Sequence, residues 1–185
     1  MREAIEAWTA WMRHAGLGIE ALLPQIPRAV GEPIPELPQI VHAYEFPWSS
    51  QHLVPRKMLD AGPVLLVCPG GENGESEISP PGNPELLDVE STVTPMALYV
   101  MAPKQVDNLV TARREAALIM RAVERNHATF WETATDAERT VRDVLCASCL
   151  RTVLRSLPHE KGDDIAIAAF GSLMRITDRW AQLIT

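Results

Sequence analysis

Several things are scarce in this chain of 185 residues, and each scarcity closes a class of answer. No apolar stretch approaches the roughly 20 residues a membrane helix needs. The longest uncharged runs, Pro63 to Pro69 and Val93 to Pro103, are far shorter, and the second contains two prolines, so no membrane partner is expected. Cysteine is represented only by Cys68, Cys146 and Cys149, an odd set that argues for free thiols over a disulfide framework. The N-terminus Met-Arg-Glu-Ala-Ile-Glu carries acids where an export signal has a basic head and an apolar core, so synthesis and residence in a cytoplasm are expected. Basic excess is missing too: 17 Lys and Arg against 24 Asp and Glu give a net charge of -7, which disfavours an extended nucleic-acid footprint.

What is present reads as one ordinary domain. A 46% hydrophobic and 22% charged composition lies in the globular range, and the length suffices to bury a real core. The charge is unevenly spread. From Met58 to Pro103 there is no Lys or Arg, whereas Arg139, Arg142, Arg151, Arg155 and Lys161 outnumber the acids between Arg139 and Lys161. Such bipolarity suits head-to-tail contact between identical subunits, or is simply a solvated surface.

Ile5, Trp8, Met12 and Ala15 recur at helical spacing and stop at Gly16 and Gly18, which predicts an amphipathic helix within residues 1–23. Residues 24–57 carry seven prolines, from Pro24 to Pro55, a density that forbids long helix and central strand alike. Tyr44, Phe46 and Trp48 lie in this stretch, so it reads as an arm pinned to a neighbouring surface of its own subunit or another. Residues 58–185 read as an α+β core. Pro63 to Pro69 predicts a buried strand, Leu86 to Val93 and Met96 to Met101 two more, and 70–85 an exposed acidic loop, mobile or ordered only by a partner, holding Glu72, Glu75 and Glu77. Leu109, Ala112, Ala116, Ile119, Met120, Val123 and His127 form one stripe of a long helix. Thr135-Asp-Ala-Glu138 is a capping-box pattern, which predicts a second helix running to Pro158, with a strand inside Asp143 to Leu157 as the alternative. The tail from Ile165 to Trp180 fits helix or strand, and its second half alternates like a strand. The expected fold is a small, mostly antiparallel sheet packed against a long helix, with an N-terminal helix and a proline-rich arm.

Chemical signatures are weak. Cys146-Ala-Ser-Cys149 has half the spacing of a zinc site, but Cys68 and scattered histidines such as His127 and His159 are all that could complete it. His159-Glu160 lacks the second histidine of a zinc-protease helix, and Gly70-Gly-Glu-Asn-Gly74 lacks a P-loop lysine and puts acids where phosphate would sit. Glu85, Asp88 and Glu90 read as a solvated acidic face in preference to a divalent-cation site. No catalytic, metal or cofactor site is therefore expected. The aromatic anchors Trp8, Trp11, Tyr44, Phe46 and Trp48 are interface candidates; for the tryptophans, core packing is the equal alternative.

The order of elements, and above all Met96 to His127, where a strand ending in Ala102-Pro103 turns into Asp107-Asn-Leu-Val-Thr-Ala-Arg-Arg, resembles tail-terminator or tail-completion proteins of long-tailed bacteriophages. The resemblance is one of pattern and covers about half the chain. It implies a non-enzymatic virion subunit, assembled in the host cytoplasm, that closes into a ring, usually a hexamer, between the head connector and the tail tube protein. On that view the genome passes through the ring without specific binding, Glu72, Glu75 and Glu77 face the channel, and the proline arm latches onto the adjacent subunit. A small regulatory or protein-binding module, and less so a hydrolase, are the rival classes.

Overall fold

A computed structural model describes residues 2–47, 53–70, 74–78, 86–93, 95–102, 109–133, 143–150, 157–161 and 164–181. The fold is α+β: a sheet that is mostly antiparallel, a long helix packed on it, and an N-terminal helix. In chain order the elements are α1 (Arg2–Met12), α2 (Ile19–Leu22) running into a 3-10 turn (Leu23–Gln25), β1 (Gln39–His42) and α3 (Arg56–Ala61). They continue with β2 (Val64–Pro69), β3 (Gly74–Ile78), β4 (Leu86–Val93), β5 (Pro95–Met101), α4 (Leu109–Thr133), β6 (Asp143–Leu150), β7 (Leu157–Lys161) and β8 (Asp164–Ala181).

The register shows how these strands share one sheet. Residues Val64 to Val67 of β2 pair with β5 on one side and, in parallel, with β1 on the other. Asp88 to Thr92 of β4 lie between β3 and β8, and residues 174–177 of β8 lie between β4 and β6. Strand β8 is therefore the spine: its first half runs against β5 and β7, its second half against β4 and β6. Near the helices the sheet order is β1-β2-β5-β8-β7, and at the far end it is β3-β4-β8-β6. Pro95 opens β5, a position where the missing N–H does no harm, and the register shift sits further along at Tyr99/Val100.

The central strands read as unbroken apolar runs because they are covered on both faces. Leu65, Val67, Ala97, Tyr99 and Met101 face one cluster with Ile5, Trp8 and Met12 of α1 and Ala112, Ala116, Ile119 and Val123 of α4. Val64, Leu66, Cys68, Leu98 and Val100 face a second cluster closed by Val41, Leu53, Val54 and Leu59. Each fully buried aliphatic side chain contributes about 2 kcal/mol of transfer free energy, so both lids matter to stability.

Three sequence expectations change and one is narrowed. The proline-rich stretch is pinned to its own subunit, where it supplies β1 and much of the second lid. The short Ile40-Val41 pair between prolines is long enough for a four-residue edge strand, which proline density does not forbid. The segment 70–85 is not all loop, since Gly74–Ile78 pairs antiparallel with Leu86–Val93. A helix running from Thr135 to Pro158 is excluded because Asp143–Leu150 is β6, the strand alternative; Thr135 to Glu138 lie outside the described residues. Finally, the N-terminal helix is two helices. The chain turns at Gly18, where a Cβ would collide with the backbone carbonyls of Met12 and His14, so only glycine allows α2 to fold back this closely.

Candidate interaction surfaces

The N-terminal aromatics are built into the protomer. Trp8 and Trp11 are buried on α1, 0% and 6% exposed, so core packing is their role here and neither is available as an exposed anchor. Helical spacing from Ile5 through Trp8 to Met12 puts one stripe onto α4 and β8, where Trp8 meets His127 edge-on at 5.2 Å and Phe170 at 6.0 Å. His127 is completely buried and also touches the Phe170 ring at 5.5 Å. Burial favours its neutral form and pushes its pKa down to about 4. Beside it, the buried Asn126 donates from Nδ2 to the Leu17 carbonyl at 3.0 Å, tying α4 to the α1–α2 turn. Asn126 Oδ1 and Trp8 Nε1 have no hydrogen-bond partner among the described residues, a cost the surrounding apolar packing has to offset. Buried Thr9 avoids that cost by donating to the Ile5 carbonyl one turn back at 2.7 Å.

The arm is held by charge as well as packing. Arg13, just beyond α1, donates from Nε to the Ile40 carbonyl at 2.9 Å and grips both Glu45 oxygens, at 2.6 and 2.9 Å. Burial acts to raise the Glu45 carboxyl, but the Arg13 fork outweighs it and holds the group below the usual carboxylate range. The Ile40 carbonyl on β1 thereby has a side-chain partner. Tyr44, in the same turn, is 39% exposed under the Arg2 guanidinium, which sits 5.5 Å from its ring centre. Phe46 is half-buried against the second cluster, and Trp48 lies outside the described residues. Of the five aromatic candidates, Tyr44 alone is shown exposed.

A different apolar surface escaped the sequence analysis. Ala29 to Glu32 form a turn closed by the Glu32 N–H donating to the Ala29 carbonyl at 3.0 Å, with Gly31 at φ +83 in its third position, as a type II turn requires. That geometry lifts Val30 clear of the protein, fully exposed. Together with Ile34 and Pro35 it borders a groove of about 710 Å³ whose other wall is α4, from Thr111 to Arg121. Leu17, Leu37 and Val110 add further exposed apolar side chains. The available signal was an isolated Val and Ile among turn formers, which composition alone does not distinguish from filler.

The acidic candidates are placed in part. Glu75 and Glu77 belong to β3, opposite Ser91 and Val89 of β4, while Glu72 lies outside the described residues. Glu75 and Glu77 therefore lie on a strand, where a loop was expected from sequence. Asp88 and Glu90 are on β4, and Cys146 and Cys149 on β6. Among the described residues, no three His, Cys, Asp or Glu gather as metal ligands, and no helix is long and apolar enough to cross a membrane. Cys68 is buried, and its thiol is pushed up to about 12 by burial, which suits packing and not nucleophilic chemistry. The chain matches no known protein-family model, no curated protein and no solved structure.

Proposed function

We propose that this protein is a structural building block that closes with copies of itself into a ring, and that the ring belongs to the neck of a long-tailed phage, between head connector and tail tube. The observation that carries self-assembly is the separation of charge along a sheet with two different ends. The segment that builds β2 to β5 holds acids and no Lys or Arg, while Arg139, Arg142, Arg151 and Arg155 flank β6 in the sequence, and β6 lies across β8 from β4. A heterologous contact between unlike patches generates rings when its rotation closes. The neck assignment rests on the likeness of the sequence from Met96 to His127, which holds most of β5 and α4, to tail-terminator proteins. The net charge of -7 lets DNA pass without adhering.

Native mass spectrometry with negative-stain imaging tests this directly. A closed multimer with a central hole is expected, and co-sedimentation with tail tubes carries it to the neck; a monomer at high concentration that turns over a small molecule sinks it. The groove beside Val30 favours a second reading, a protein-binding module, which predicts a monomer or dimer with one discrete partner.

A further inference from the structure

We infer that the contact between neighbouring copies is an intermolecular strand pairing, the outer edge of β3 in one copy against the outer edge of β6 in the next. The inference rests on the ring reading above and specifies its interface.

The far end of the sheet has the order β3-β4-β8-β6, and among the described residues β3 pairs only with β4 and β6 only with β8. Among the described residues, each therefore presents a row of backbone donors and acceptors with no strand beside it, a ready template for another chain. Five residues, Gly74–Ile78, and eight, Asp143–Leu150, are long enough to pair, even with the register shift at Cys146/Ser148. At the near end, by contrast, the β1 edge is four residues long and Arg13 already occupies its Ile40 carbonyl, while β7 is five residues long and irregular, meeting β8 at Leu157 and Lys161.

Charge then selects among the possible pairings. Two β3 edges brought together antiparallel place Glu75 and Glu77 of one copy against the same carboxylates of the other, which is unfavourable. Two β6 edges brought together set the same arginine-bounded sequence, with Arg142 and Arg151 as its neighbours, against itself. Only the mixed pairing brings the acidic strand against one that carries a single charge, Asp143 at its start, and whose sequence neighbours Arg142 and Arg151 are basic. Both self-pairings stop at a dimer; the mixed one leaves a free β3 at one end and a free β6 at the other, so it propagates until the chain of copies closes.

The native Cys146 and Cys149 make this testable with single substitutions. Glu75→Cys, Ser76→Cys and Glu77→Cys are each oxidised in the assembled protein, because strand neighbours lie within disulfide reach. Expected is a ladder of linked species beyond the dimer in at least one variant, lost when Cys146→Ser and Cys149→Ser are added. Independently, Glu75→Lys with Glu77→Lys should weaken assembly at least tenfold by analytical ultracentrifugation, and mixing with an Arg142→Glu, Arg151→Glu partner should restore it. A ring of unchanged mass that yields no ladder and ignores the charge reversals overturns the strand pairing and leaves the ring standing. A linked dimer that survives loss of Cys146 and Cys149 means β3 meets β3, and also overturns it. A monomeric wild-type protein removes both.

Discussion

His127 gives this protein an acid-sensitive core whose size can be worked out. The ring is fully buried among Trp8 and Phe170, and burial lowers its pKa from 6.5 to about 4. In the unfolded chain the same imidazole takes up a proton near pH 6.5. Between those two values the unfolded state binds more protons than the folded one, so stability falls as the pH drops. The contribution is complete above about pH 6.5, declines through pH 5, and is exhausted near pH 4. A shift from 6.5 to about 4, at 1.36 kcal/mol per unit, gives a loss of about 3 kcal/mol, a large share of a typical domain's 5–15. The assay is urea unfolding followed by tryptophan fluorescence, at closely spaced pH values from 7.5 to 4, on wild type and His127→Gln. Glutamine keeps a side-chain donor and does not titrate, so carboxylate effects common to both proteins cancel in the difference. The wild-type curve should drop away from the variant's below pH 6.5. Parallel curves across that window would show that His127 is not held neutral and that the proposed burial against Trp8 is wrong.

Three further outcomes follow from packing. Trp8→Ala should cost about 3–5 kcal/mol of folding stability, read as a drop in Tm, because the side chain fills the junction of α1, α4 and β8. Tyr44→Ala, at an exposed site, should leave Tm nearly unchanged; equal effects from the two would contradict the burial difference. Gly18→Ala should destabilise by about 1–3 kcal/mol, since the carbonyls it meets belong to backbone and cannot swing aside. Its far-UV spectrum should show helix loss. Cys68, with its thiol held near 12, should react with a thiol reagent at pH 8 only on the timescale of unfolding; rapid labelling of the folded protein at this site, mapped by mass spectrometry, would show that β2 is open.

Where apolar residues were bounded by strong punctuation, the sequence was readable. Pro63 and Pro69 bracket β2, and the stripe from Leu109 to His127 has one period that only a helix satisfies. Segment 143–157 was ambiguous because its Val, Leu and Cys positions fit a period of 3.6 as well as a sheet, and the pairing with β8 that decides it lies some thirty residues away. Strand β3 was hidden for another reason. Gly-Glu-Ser-Glu carries almost no β propensity, and it is a strand because β4 offers it a register. The second lid was invisible as a unit, since Val41, Leu53, Val54 and Leu59 are scattered between prolines with no period and only the fold brings them onto one sheet face. The same limit applied to the surface: spacing marked Trp8 and Trp11 as aromatic pairs but did not tell inside from outside, and nothing in the composition singled out Val30.

Strand β8 has one more consequence. It joins β4, β5, β6 and β7, yet a ribosome delivers it after all of them. Until Asp164–Ala181 has emerged, the hairpin of β2 to β5 waits with one flank bare, and its nascent form must be kept from pairing with other half-made chains. Cells translating this message from many ribosomes at once would therefore benefit from slow initiation or chaperone cover, and a nonsense codon anywhere before position 164 would leave a product that is sticky as well as short.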